Sequence, residues 1–193
     1  TGHMSYVSAR RWPRRGLRCH VSVDIGDDTV KSVVVSGAGE RGLCAGGDIV
    51  SIYHDAKDGG SGSKDFWRDE YVLDHTIATY PKPFVALMDG VVMGGGVGIS
   101  EPADVRVATE RTTYAMPETG IGYLPDVGGT WLLPRAPGEI GTYLALTGAR
   151  IGPDDALACG LAPLVPGGAG WRGRPASGAG PPCRFALATR RRA

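Results

Sequence analysis

The sequence predicts an α/β layered fold, and three observations predict it. Short β-branched runs recur at Val30 to Ser36, Phe84 to Met88 and Val105 to Ala108, a longer helical pattern separates the first two, and glycine-rich turns follow strands directly. With 193 residues, 42% of them apolar and 21% charged, the chain is sized for one domain with a real core.

Val30 to Ser36 (VKSVVVS), ended by Gly37, has the pattern of a buried parallel strand. Gly39 to Asp48 (GERGLCAGGD) is a turn. It is not a P-loop, because no Gly-Lys-Ser/Thr follows, and its spacing does not fit a dinucleotide fingerprint. What remains is Ala45-Gly46-Gly47, which lets backbone approach a ligand closely before a helix starting around Asp48. A loop with flexible glycines satisfies the same residues. Gly59 to Ser63 reads as flexible, and Asp65 to Tyr80 as a helix whose apolar positions Phe66, Val72, Leu73, Ile77 and Tyr80 fit one face only roughly.

Phe84 to Met88 is the second strand, after Pro81 and Pro83, and the Asp89-Gly90 turn leads into Met93 to Gly98 (MGGGVG). Each glycine costs about 1 kcal/mol against alanine in a helix, so three in a row indicate a need for bare backbone. One such need is an oxyanion hole, in which amides from two loops converge on a carbonyl oxygen that gains charge during reaction. Val105 to Ala108 is the third strand. In Tyr114 to Gly129 (YAMPETGIGYLPDVGG), Glu118 and Asp126 each follow a proline in a glycine-bounded turn. Carboxylates held this way suit a general base, acid or nucleophile, and equally a capping role in the turn.

Charge divides the chain into three zones. Residues 1–20 hold five arginines and residues 163–193 hold six, neither with an acid, which leaves ten basic residues against all 20 acids in the middle. The arginines lie among Gly, Pro, Ala and Trp without aromatic interleaving, so no nucleic-acid partner is expected. Residues 163–182 contain eleven Gly or Pro, a density that reads as coil. The expected organisation is an atypical basic segment at 1–23, a core at 24–162 and an irregular Gly/Pro/Arg-rich tail at 163–193. No apolar run approaches the roughly 20 residues of a membrane helix, so no membrane partner is expected. Cys19, Cys44, Cys159 and Cys183 form no CxxC pair and the four histidines show no ligand spacing, which argues against zinc and disulfides and for a cytoplasmic setting.

Gly37 to Asp48, Pro81 to Gly98 and Tyr114 to Arg135, in that order and separation, resemble the crotonase (enoyl-CoA hydratase/isomerase) superfamily from about residue 27 to 162. The pair MGGGVGIS and MPETGIGYLPDVGGTWLLPR resembles most closely its 3-hydroxyisobutyryl-CoA hydrolase branch. The resemblance implies a ClpP/crotonase layered β-β-α spiral. It implies oxyanion-hole amides at Gly47 and Gly95, CoA contacts at Leu43 and Ala45, a substrate pocket at Gly94 and Gly98, a catalytic Glu118, and Asp126 as the second acid of the hydrolase branch. No metal and no separate cofactor is expected, since coenzyme A is part of the substrate.

Enoyl-CoA hydratases carry a second glutamate where this chain has Gly98, so the resemblance implies hydrolysis of a short acyl-CoA thioester, 3-hydroxyisobutyryl-CoA of valine catabolism, ahead of hydration. The other readings are a hydratase/isomerase, an inactive crotonase-like chain, or an acyl-CoA binding module. The family also has an amino-terminal strand and helix with an Asn-Ala-Leu loop, and helices beyond the position of Ala162. The spiral is therefore expected to be incomplete at both termini. A homo-oligomer, trimer or hexamer, and a mitochondrial location in a eukaryote are further implications.

Overall fold

Two small parallel sheets, each built from strands far apart in sequence, organise the chain. The structure is a computed structural model, and it describes residues 30–37 and 40–162; the segments expected at 1–23 and 163–193 lie outside the described residues. Strands β1 (Val33–Val35), β3 (Phe84–Met88) and β5 (Val105–Ala108) form the first sheet, in the order β1-β3-β5. Strands β2 (Gly42–Cys44), β4 (Val91–Met93) and β6 (Thr113–Ala115) form the second, in the order β2-β4-β6. All four pairings are parallel, with Val33 opposite Phe84, Val85 opposite Val105 and Val92 opposite Tyr114.

Each turn of the chain thus lays one strand in each sheet and then crosses over through helix, which is the β-β-α spiral. The first crossover holds α1 (Ile49–Lys57) and α2 (Gly62–Ala78), and the second holds α3 (Gly95–Ser100). After β6 come a 3₁₀ turn at Glu118–Ile121, α4 (Gly129–Leu132), a second 3₁₀ turn at Leu133–Arg135, α5 (Ile140–Thr147) and α6 (Pro153–Ala158). The central strands β3 and β4 carry the apolar sequences FVALM and VVM, and Phe84, Ala86, Met88 and Val92 are at most 1% exposed. Burial on this scale gains roughly 25 cal/mol per Å² of apolar surface, so these two strands anchor the core.

Four elements differ from the sequence expectations. The first strand is three residues long, at the edge of its sheet among the described residues, and Val34 is 54% exposed. The second sheet was not read at all: three-residue strands, one beginning at Gly42, are too short to show a period. Gly59 to Ser63 is no flexible linker, since the Asp55 carboxylate accepts hydrogen bonds from the Gly62 and Ser63 amides at 3.3 and 2.7 Å and ties α1 to the start of α2. On α2, Val72 is exposed, while the inward stripe runs through Phe66, Glu70, Leu73, Asp74 and Ile77. Two acids occupy that stripe, which is why the apolar pattern fitted only roughly.

Candidate active site

The two glycine motifs meet. Helix α1 starts where expected, with the Asp48 carboxylate accepting from the Val50 and Ser51 amides, and this fixes the exit of the loop that carries Gly46 and Gly47. Gly46 adopts φ +96°, and a Cβ there would stand 3.5 Å from the Gly95 amide nitrogen. Gly94 adopts φ +52°, ψ −122° as the residue before α3, a conformation that costs a side chain dearly. Gly96 has to be glycine for a different reason: its Cβ would fall 2.3 Å from the Cys44 carbonyl oxygen.

From Val92 to Ser100 every residue is buried except Gly95, which is partly open, as are Gly46 and Gly47. Neither the Gly47 nor the Gly95 amide donates a hydrogen bond among the described residues. Gly95 is the first residue of α3, where backbone N–H groups have no helical acceptor. Two open amides on abutting loops, one at a helix start, can receive a carbonyl oxygen and stabilise charge on it.

The acid turn packs directly on this junction. Glu118 opens the 3₁₀ turn behind Pro117, and Gly122 closes it in the left-handed conformation. Glu118 is 8% exposed, its Oε1 lies 3.0 Å from where a Cβ on Gly94 would be, and its Oε2 is buried with no hydrogen-bond partner. Burial and the nearby Asp126 raise the Glu118 pKa. A carboxyl in this setting is a stronger base once ionised than one in water.

Asp126 lies in the next turn, where Val127 takes φ +42°. That region is unfavourable for a β-branched residue and costs about 1–3 kcal/mol. Packing holds it there: Val127 is buried, and its Cβ lies 2.7 Å from where a Cβ on Gly98 would be.

Helix α2 roofs the whole site from one stripe. The Phe66 ring occupies the space beside Gly47, and Trp67 stacks on Tyr123 with ring centres 5.9 Å apart. Glu70 Oε1 lies 2.4 Å from the Cβ position of Gly95, and Asp74 Oδ2 lies 3.0 Å from that of Gly98. The Tyr71 hydroxyl donates to Asp126 Oδ2 at 2.7 Å. Of these five α2 residues only Phe66 was named from the sequence, as an apolar helix position and not as part of the site. The sequence carried no usable signal for the acids, because charged residues at helical spacing normally mark the solvated face of a helix.

The structure therefore brings Gly47, Gly94, Gly95, Glu118 and Asp126 together with α2. Ala45 is exposed next to the junction. The Leu43 side chain is 5% exposed and belongs to the core, so only its backbone is left for the expected CoA contact. Gly98 does not line open space, because Val127 and Asp74 fill the volume a side chain would need. No group of three His, Cys, Asp or Glu among the described residues has a metal-holding arrangement, and no helix among them is long and apolar enough to cross a membrane.

Comparison with known proteins identifies the family and the fold. The family described as enoyl-CoA hydratase/isomerase matches residues 19–166. A mitochondrial 3-hydroxyisobutyryl-CoA hydrolase of Danio rerio is 52% identical over 136 residues, 70% of this chain and 36% of that protein. The small ribosomal subunit protein mS47 of Neurospora crassa is 49% identical over 64% of this chain and 25% of its own. Among solved structures, a carnitinyl-CoA dehydratase from Mycobacterium thermoresistibile superposes with a TM-score of 0.70 at 56% identity, covering 73% of this chain and 42% of that one. The chain spans about a third of the length of the curated relatives it matches, 36% for the zebrafish protein.

Proposed function

The chain belongs to the enoyl-CoA hydratase/isomerase family, and from that premise we propose that its site hydrolyses a short acyl-CoA thioester, with 3-hydroxyisobutyryl-CoA as the substrate. The observation that carries this reading is the placement of Glu118 Oε1, 3.0 Å from the Cβ position of Gly94, which sets a base at the residue preceding the open Gly95 amide. In the proposed reaction the Gly47 and Gly95 amides receive the thioester oxygen. Glu118 takes a proton from water as it attacks the carbonyl carbon, the C–S bond breaks, and the leaving CoA thiolate takes that proton up; in the alternative, Glu118 itself adds to the carbon and expels the thiolate, and water then hydrolyses the resulting anhydride to free acid and carboxylate. Asp126, held by Tyr71, orients the acyl hydroxyl or passes the proton. The zebrafish relative's name supports the substrate. Coenzyme A enters as part of the substrate, and no metal takes part.

A hydratase reading draws on the dehydratase neighbour, but the volume at Gly98, where hydratases carry a second glutamate, is filled by Val127 and Asp74. A non-catalytic role draws on the ribosomal relative. We propose assembly into a homo-oligomer, supported by the exposed Trp131, Tyr143 and Leu146 of α4 and α5, and a mitochondrial setting in a eukaryote, supported by the relatives' names.

Thiol release from a panel of acyl-CoA esters tests the function. Glu118→Gln and Asp126→Asn are expected to lower the rate by about 10²–10⁴, the usual worth of a positioned acid or base. Near-normal turnover in either removes its role, and hydration of crotonyl-CoA without thiol release replaces hydrolase by hydratase.

A further inference from the structure

The reaction just described leaves two acids of α2 unused. Glu70 Oε1 lies 2.4 Å from the Cβ position of Gly95, and the Gly46 Cα is 3.5 Å from the same point. The carboxyl therefore sits at the junction of the two loops whose amides face the thioester. Asp74, one turn further, has both oxygens buried and unpartnered. Facing them are Glu118 from the 3₁₀ turn, with its own buried and unpartnered Oε2, and Asp126 from the following loop with the Tyr71 hydroxyl on it. Among the described residues no Lys, Arg or His pairs with any of the four acids, and they do not form a metal-holding group.

Glu70, Asp74 and Glu118 are largely withdrawn from water with no cation paired to them among the described residues, and protons reside on the carboxyls most disfavoured as anions. Burial, then the charges of Asp74, Asp126 and Glu118, push Glu70 up to about 8, and burial with Asp126 pushes Asp74 up to about 7. An ionised carboxylate beside Gly95 would oppose the negative charge that thioester attack creates. An acid there would donate to it.

We propose that Glu70 serves as a neutral acid that donates a third hydrogen bond to the thioester oxygen beside the Gly47 and Gly95 amides, with Asp74 the positioning residue that keeps the proton on it. The idea rests on the acyl-CoA reading of the same site and extends it to a residue outside the glycine and acid motifs.

The test is the pH profile of kcat/KM for hydrolysis of 3-hydroxyisobutyryl-CoA by wild type, Glu70→Gln, Glu70→Ala and Asp74→Asn. In parallel, the carbonyl stretch of an acyl-CoA ketone analogue, with the thioester sulfur replaced by CH₂, is read in the bound state. Wild-type activity is expected to fall as pH rises through about 8. Glu70→Gln, a donor that cannot ionise, keeps activity within about threefold at neutral pH and loses the alkaline fall, while Glu70→Ala drops by about 10²–10³, the usual loss for one oxyanion donor. Asp74→Asn moves the alkaline fall to lower pH, since one like charge is gone. The carbonyl shift persists in Glu70→Gln and shrinks in Glu70→Ala.

A Gln variant as slow as the Ala variant, or one with the wild-type alkaline fall, overturns the proposal. So does a carbonyl shift indifferent to Glu70. Absence of hydrolysis in the wild type, with a carbonyl shift that still tracks Glu70, instead overturns the hydrolase reading and leaves the donor in place.

Discussion

The Tyr71 hydroxyl reaches Asp126 Oδ2 at 2.7 Å across 55 residues of chain, and so couples the roof helix to the second acid turn. Burial, followed by this bond to Asp126, raises the Tyr71 pKa, so it remains a donor throughout the working range. A hydrogen bond to a charged group is worth about 1.5–3 kcal/mol when well buried, and less here because Tyr71 is 42% exposed. Tyr71→Phe is therefore expected to slow thiol release about three- to tenfold and to lower Tm by no more than about 3 °C. Steady-state kinetics with thermal melts check it, and an unchanged kcat would mean Asp126 needs no such restraint.

The glycines of the α3 motif separate by what their missing side chains would strike. A Cβ on Gly96 meets the Cys44 carbonyl oxygen at 2.3 Å, which is backbone of the neighbouring strand and cannot step aside; a Cβ on Gly95 meets the end of the flexible Glu70 side chain at 2.4 Å. Gly96→Ala is expected to cost at least about 1–3 kcal/mol of stability, as overpacking does. Gly95→Ala should fold with near-normal stability and lose activity by displacing Glu70. Denaturant midpoints of the two variants decide: a Gly96→Ala protein as stable as wild type would mean that β2 can step aside, and a Gly95→Ala protein as unstable as Gly96→Ala would mean that Glu70 cannot.

Much of this was legible in the sequence because glycine and proline punctuation is local. Strands β3 and β5 fell where their apolar runs fall, the Asp48 cap marked the start of α1, and runs such as GGG and PET announced backbone exposure and a rigid acid. The second sheet was not legible, since three residues carry no period and strand pairing is settled by contacts some 20 to 50 residues away, such as Gly42 with Val91 and Val91 with Thr113. Glu70 and Asp74 were missed for the opposite reason. Charged residues on a helix read as its solvated side, and only the fold shows that this side covers the glycine junction.

The acid cluster also makes a pH prediction for the fold itself. Glu70 and Asp74 have folded-state values raised from 4.5 to about 8 and from 3.8 to about 7, so the folded chain holds protons that the unfolded chain releases. Their stabilising contribution is fully present below about pH 4 and is lost as pH rises through about 7–8. Tm is expected to fall between pH 5.5 and 8.5 at fixed ionic strength, by roughly 2–4 °C for each kcal/mol lost. The Glu70→Gln, Asp74→Asn double variant should flatten that slope. A slope unchanged in the double variant would place the ionisation elsewhere.

Installing the second glutamate of the hydratases at position 98 should not produce a hydratase. Its Cβ would stand 2.7 Å from the Val127 Cβ and 3.0 Å from Asp74 Oδ2, so the side chain would have to displace a residue already held at φ +42° and bring a carboxyl against a buried one. Overpacking and like-charge contact act in the same direction, and a loss of about 2–4 kcal/mol is expected. Adding Asp74→Asn should recover the electrostatic part but not the steric part. Crotonyl-CoA hydration measured with Tm across Gly98→Glu and the double variant separates the two: a Gly98→Glu protein that melts like wild type and hydrates crotonyl-CoA would show that Val127 can move and that the volume beside Gly98 is open to substrate chemistry.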